Sequence, residues 1–205
     1  MYIPTAFAET DPAKLHDFIA AHSFALLVSH LHGELFATHL PLLLDRDAGP
    51  AGVLHGHMAR ANPQWQELEG QNVLAVFSGP HAYVSPTWYE AEEVVPTWNY
   101  VAVHAYGTVH LVQEEEPLRQ LLVKTVATYE QSMPRPWSIA PDDAFLARMA
   151  RGVVGFRIEI SRLEGKWKLN QNHPEERRRK VAKVLADSSS PDDREIARLI
   201  AEKFA

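Results

Sequence analysis

The amino-acid sequence predicts an α+β domain built around an antiparallel barrel. Strand-like runs with two-residue alternation recur through the first 112 residues, separated by turn signals. Apart from two short segments, at 11–22 and after Asn62, helical periodicity is held back until residue 114. Strands and helices therefore do not alternate as a doubly wound sheet requires. No GxGxxG follows a first strand and no GxxxxGK[ST] occurs, which excludes Rossmann and P-loop nucleotide sites.

Each element has a local reason. In DPAKLHDFIAAH (11–22) an Asp cap precedes Pro at the first helical position, and Leu15, Phe18 and Ile19 recur at helical spacing. Residues 23–44 read as two strands around the turn His32-Gly33-Glu34. A turn at Asp47-Ala48-Gly49-Pro50 leads to the strand GVLHGHM, after which Asn62 caps a brief helix with Pro63 first. Two strands, NVLAVFSG and HAYVSPTWY, are expected to meet at Gly79-Pro80.

The strand 98–112 alternates cleanly. Val101, Val103, Ala105, Val109 and Leu111 are apolar, whereas Tyr100, His104, Tyr106, Thr108 and His110 are not. One face is core, and the other serves another purpose. Helices follow at 114–131 and from Pro141, then the strand VVGFRIEISRL, and last two helices divided by Ser188-Ser189-Ser190. The expected total is six or seven strands. Residues 1–172 are expected to form the barrel, with 173–205 as a helical extension of the same domain.

The chain of 205 residues is 46% apolar and 22% charged, the balance of an ordinary globular protein. Its amino terminus lacks a basic start followed by an apolar stretch, and every apolar run is interrupted before membrane-spanning length. With no Cys, disulfide and thiolate chemistry are excluded. The reading is a cytoplasmic protein without a membrane partner. Net charge is −6, but residues 162–183 carry eight Lys/Arg against three acids, a local +5 that leaves −11 elsewhere. A solvated helix face and an anion site both account for this segment.

Four constellations bear on chemistry. LHGHMARANPQW sets His55 and His57 on one strand face, with Arg60 and the Asn62-Pro63 helix start following. A guanidinium, neutral donors and helix-terminal N–H groups together suit an oxyanion such as phosphate, although a surface Arg paired with a carboxylate reads equally well. The i, i+2 pairs His30/His32 and His55/His57 lack a third convergent ligand, so no metal is assigned. Trp88, Tyr89, Trp98, Asn99 and Tyr100 offer either packing or the walls of a pocket for a planar heterocycle. LEGKWKLNQN ends a strand with Lys166, Lys168, Asn170, Gln171 and Asn172, cations and amides that suit an anionic ligand.

The blocks MYIPTAF, THLPLLL, GHMARANPQW, FSGPHAYVSPTWY, VPTWNYVAVHAYG and GKWKLNQN resemble the PaiB-type FMN-binding negative transcriptional regulators. That family sits within the split-barrel flavin-binding superfamily that includes pyridoxamine phosphate oxidases. The likeness runs from residue 1 to about 172 and departs at Asn170, where Ser is more usual. It implies a six-stranded antiparallel split β-barrel with peripheral helices, dimeric, with FMN at the subunit interface. It also implies that Thr38, His39, Leu40 and Pro41 lie along the isoalloxazine and that His57, Arg60 and Asn62 hold the phosphate. Trp98, Asn99, Lys168 and Gln171 complete the pocket. The polar face of 98–112 then points to the partner subunit and the flavin. The implied role is regulation without direct DNA binding, since the chain is acidic and shows no helix-turn-helix pattern. A flavin-dependent oxidoreductase is the alternative, and a haem or metal barrel a further one.

Overall fold

The computed structural model describes residues 1–204. Its strands are β1 (Ala8–Glu9), β2 (Phe24–Leu31), β3 (Glu34–Pro41), β4 (Leu43–Asp45), β5 (Val53–Ala59), β6 (Asn72–Val84), β7 (Thr97–Val112) and β8 (Val153–Lys168). The helices are α1 (Pro12–Ala21), α2 (Glu115–Glu130), α3 (Ala144–Ala150), α4 (Glu175–Ala186) and α5 (Pro191–Lys203). The strands join in the order β3-β2-β6-β7-β8-β5-β4, with β1 on β8, and the registered pairs are antiparallel.

Local chemistry explains most boundaries. Asp11 caps α1 through a 2.9 Å bond from the Ala13 N–H. The β2–β3 hairpin turns on His32 (φ 53°) and Gly33 (φ 81°), two successive positive-φ residues that match the twist of its strands. Asn62 accepts the Gln64 N–H, and Pro63 opens a 3₁₀ turn that ends at Glu67. Ser190 caps α5, with Pro191 first.

Four expectations are revised. Residues 72–84 form one continuous strand, not two joined at Gly79-Pro80. Proline's fixed φ is compatible with extended backbone and removes only one ladder donor. The stretch after Val84 is a 3₁₀ turn, Pro86–Tyr89, because the Ser85 hydroxyl accepts the Thr87 N–H at 3.3 Å. The last strand runs on to Lys168, since Gly165 and Lys166 pair with Glu9 and Ala8. Finally, α3 starts at Ala144, where Asp143 supplies the cap, and not at Pro141. The strands beyond the expected six or seven are found among the shortest, β1 and β4, which are too brief to show periodicity.

The chain resolves into two compact units, and β6, β7 and β8 contribute residues to both. One comprises residues 16–77 and 104–163. Its buried side chains include Ile19, Leu27, Leu54, Phe77, Phe156 and Ile158. Gly155 lets α2 approach β8, because a Cβ there would stand 2.8 Å from Leu118 Cδ1. The other unit comprises residues 1–15, 78–103 and 164–205. In it Val181 and Leu185 of α4 and Ile196 and Ile200 of α5 are buried. Lys180 bridges Glu90 and Glu176 at 2.8 and 2.9 Å. No helix among the described residues is long and apolar enough to cross a membrane.

Candidate functional site

In the unit of residues 16–77 and 104–163, the candidate site grows from the end of β5. Burial alternates along this strand, so Leu54, Gly56 and Met58 face the core while His55 and His57 are half-buried on the other face. Gly56 has no room for a side chain, since a Cβ would come within 2.7 Å of Leu42 and 2.8 Å of Phe156. Burial holds the His57 imidazole below its ordinary pKa, so near neutrality the ring is uncharged.

Beyond β5 the chain turns outward and Arg60 is fixed by main chain alone. Its N–H donates to Gly152 O at 2.8 Å, its Nε to Arg151 O at 2.9 Å and its Nη2 to Val153 O at 2.9 Å. The guanidinium lies 5.8 Å from the Trp65 ring centre, and the indole Nε1 donates to Arg60 O at 2.9 Å. No carboxylate stands within ion-pair distance among the described residues, and Nη1 is engaged by none of these bonds. Arg60 is an exposed, oriented cation without a counter-ion.

Asn62 ties this corner to β3. Its Nδ2 donates to Thr38 Oγ1 at 2.9 Å while its Oδ1 takes the Gln64 N–H at 3.0 Å. The cap thus consumes a donor that the sequence reading assigned to an incoming anion. Thr38, His39, Leu40 and Pro41 lie in register with Leu27, Leu26, Ala25 and Phe24 of β2. Leu40 is buried, whereas His39 is exposed and stacks on Phe24 at 6.2 Å. Gln64 was not singled out in sequence, yet it is fully buried. Its amide donates to Ser29 Oγ at 2.9 Å and to the Leu27 and Phe36 carbonyls. A polar residue two places after a cap is ordinary in sequence, so only the fold reveals this one as the peg of the corner.

Trp98, Asn99, Lys168 and Gln171 belong to the other unit. Strand parity sends the first two to opposite faces. Trp98 is 52% exposed beside Tyr83 (5.7 Å) and His81 (6.0 Å), while Asn99 is fully buried and neither of its amide atoms has a partner. Lys168 Nζ donates to Thr97 Oγ1, and burial followed by the charge of Lys166 lowers its pKa. Gln171 is spent on its own turn, accepting from the Leu169 N–H and donating to Trp167 O. Lys166 is 7% exposed, donates to Tyr2 O at 3.1 Å and lies 5.0 Å over the Tyr100 ring. The positive-φ turn at Asn170 (φ 62°) suits an Asn.

The two faces of β7 behave as their alternation predicts. Val101, Val103, Ala105 and Val109 are buried; Tyr100, His104, Tyr106 and His110 remain partly exposed. Within the unit of residues 16–77 and 104–163, Arg162 lies 3.7 Å over Tyr106. Among the described residues no group of three or more His, Asp or Glu is placed to hold a metal ion.

A family described as "Putative FMN-binding domain" matches residues 1–162. The Bacillus subtilis protein named protease synthase and sporulation protein PAI 2 is 35% identical over 208 residues, covering 100% of this chain and 98% of that one. An uncharacterised protein of Aspergillus fumigatus is 29% identical, over 83% of this chain and 85% of its own length. Among solved structures, the flavocytochrome Anf3 from Azotobacter vinelandii superposes with a TM-score of 0.60 at 14% identity, covering 78% of this chain and 69% of that one. An FAD and heme binding protein from Mycobacterium smegmatis gives 0.59 at 12% identity, covering 78% and 73%. The shared fold is an antiparallel split barrel with appended helices.

Proposed function

Because the chain belongs to this FMN-binding domain family, we propose that it binds FMN as a homodimer and acts as a flavin-linked regulator without itself binding DNA. The observation that carries the reading is Arg60. A guanidinium oriented by two main-chain carbonyls, with Nη1 left over and no carboxylate beside it, is suited to receive a phosphate. His57, kept neutral by burial, and Asn62, anchored on Thr38, stand on the same corner as further polar contacts. Thr38 to Pro41 then offer a strand for the isoalloxazine. Asn99 and Lys168 are assigned separately as amide and cation for a flavin. FMN supplies reversible electron transfer when bound; the protein's part is to hold and orient it.

Regulation is supported by the full-length likeness to a protein named for sporulation. Indirect action is supported by the state of the basic helix, where Arg179 pairs with Glu175 and Lys180 with Glu90 and Glu176. These two cations, already neutralised, release few counterions on meeting a phosphate backbone. The test is calorimetric titration with FMN and with FAD, alongside mobility shift on promoter DNA at roughly physiological salt, where nonspecific Kd values are about 10⁻⁴–10⁻⁶ M. FMN bound more tightly than FAD, with no discrete DNA complex, is expected. Preference for FAD, or tight sequence-selective DNA binding, contradicts the reading.

A further inference from the structure

One cleft in the unit of residues 16–77 and 104–163 contains none of the residues assigned to the flavin. It has a volume of about 690 Å³, within the range of small-molecule sites. Its apolar lining comes from Leu111, Val112, Pro117 and Leu121. Around this floor stand charges of both signs: Lys124 and Arg157, and Asp45 and Glu114. They come from α2, β8, β4 and the segment before α2, so no sequence motif announces them.

These charges are not consumed by one another. Among the described residues Lys124, Asp45 and Glu114 make no ion pair, and Arg157 has one, through Nη1 to Glu159. Asp45 Oδ1 accepts only the N–H of Asp47, at 3.3 Å. His55 faces Arg157 across the β5–β8 ladder. Its pKa is lowered first by burial and then by Lys124, with Asp45 opposing and Arg157 adding to the fall. The fields of Lys124, Asp45 and Arg157 therefore reach a common point, and at that point the imidazole is a neutral hydrogen-bonding group.

A simple anion leaves Asp45 and Glu114 unmatched, and a simple cation leaves Lys124 and Arg157. A molecule with one charge of each sign and an apolar body matches both and covers the floor. We infer that this cleft is a second ligand site, separate from the flavin, for a small apolar α-amino acid. Its carboxylate meets Lys124 and Arg157, its ammonium meets Asp45 and Glu114, and its side chain lies on Leu111, Val112 and Leu121.

The probes are L-phenylalanine, 3-phenylpropanoate (no ammonium) and phenethylamine (no carboxylate), titrated by calorimetry into the FMN-loaded full chain. L-Phenylalanine is expected to bind, and each half-molecule to bind at least about tenfold more weakly, since each loses a charge-assisted contact. Lys124→Glu lies on an exposed position and is expected to weaken L-phenylalanine by about tenfold or more, to leave FMN unchanged, and to leave phenethylamine binding no weaker. No binding of L-phenylalanine, equal binding of all three probes, or equal binding to Lys124→Glu overturns the inference. Loss of FMN from Lys124→Glu, or displacement of FMN by L-phenylalanine, also overturns it, by making this cleft the flavin site. A protein that binds L-phenylalanine but no FMN refutes the flavin reading alone.

Discussion

Replacing Arg60 should separate the phosphate from the rest of the flavin. The guanidinium spends Nε on Arg151 O and one Nη2 proton on Val153 O, so Nη1 is the part most available to a ligand. One charge-assisted hydrogen bond contributes about 1.5–3 kcal/mol. Arg60→Ala should therefore raise the Kd for FMN about 10–150-fold. The two carbonyls it releases are at the surface and can turn to water, so the fold should lose no more than about 0.5 kcal/mol. Arg60→Lys keeps the charge but cannot hold both carbonyls and face a phosphate, so it should fall between wild type and Arg60→Ala. Riboflavin has the same ring and no phosphate, and should bind all three proteins alike. Flavin fluorescence quenching measures each pair, with thermal melts as the control for folding. Equal losses for FMN and riboflavin would show that Arg60 supports the ring or the fold, and the phosphate assignment would fall.

Two further predictions concern assembly and pH. Tyr100, His104, Tyr106 and His110 form a partly exposed aromatic and polar strand face suited to a wet interface, so sedimentation at micromolar concentration should give twice the 23.1 kDa chain mass. A single species at the monomer mass contradicts this. His55, His57, His104 and His173 all have folded-state pKa values lowered below 6.5, with burial the first cause. The unfolded chain then binds more protons than the folded one as pH falls through 6.5, so the stability present above 6.5 is lost toward lower pH. Tm should drop between about pH 7.5 and about pH 5.5, and His57→Gln should lessen the drop. A Tm unchanged or raised at the lower pH refutes it.

Periodicity and caps carried most of the fold. The alternation of 98–112, the Asp11-Pro12 start and the Asn62-Pro63 cap each have a cause that acts within a few residues, and the structure repeats them. Gly79-Pro80 misled because turn chemistry is a local preference that sheet pairing overrides when the chain can stay extended. The blocks GHMARAN and THLP stand out in sequence because their residues are consecutive, and the Asn62–Thr38 bond joins those two blocks. The candidate site was not legible where contacts are long-range. The attachment of Arg60 to residues 151 and 153, some ninety positions away, has no trace in sequence, and neither has the bond from the buried Gln64 amide to Ser29.

The central claim is that this chain holds FMN, and the visible spectrum of the protein after incubation with FMN and desalting tests it most directly. The account predicts that oxidised flavin remains with the protein fraction at one per chain and, after denaturation, is identified as FMN. A colourless protein fraction, with all the flavin eluting as free small molecule, would contradict it.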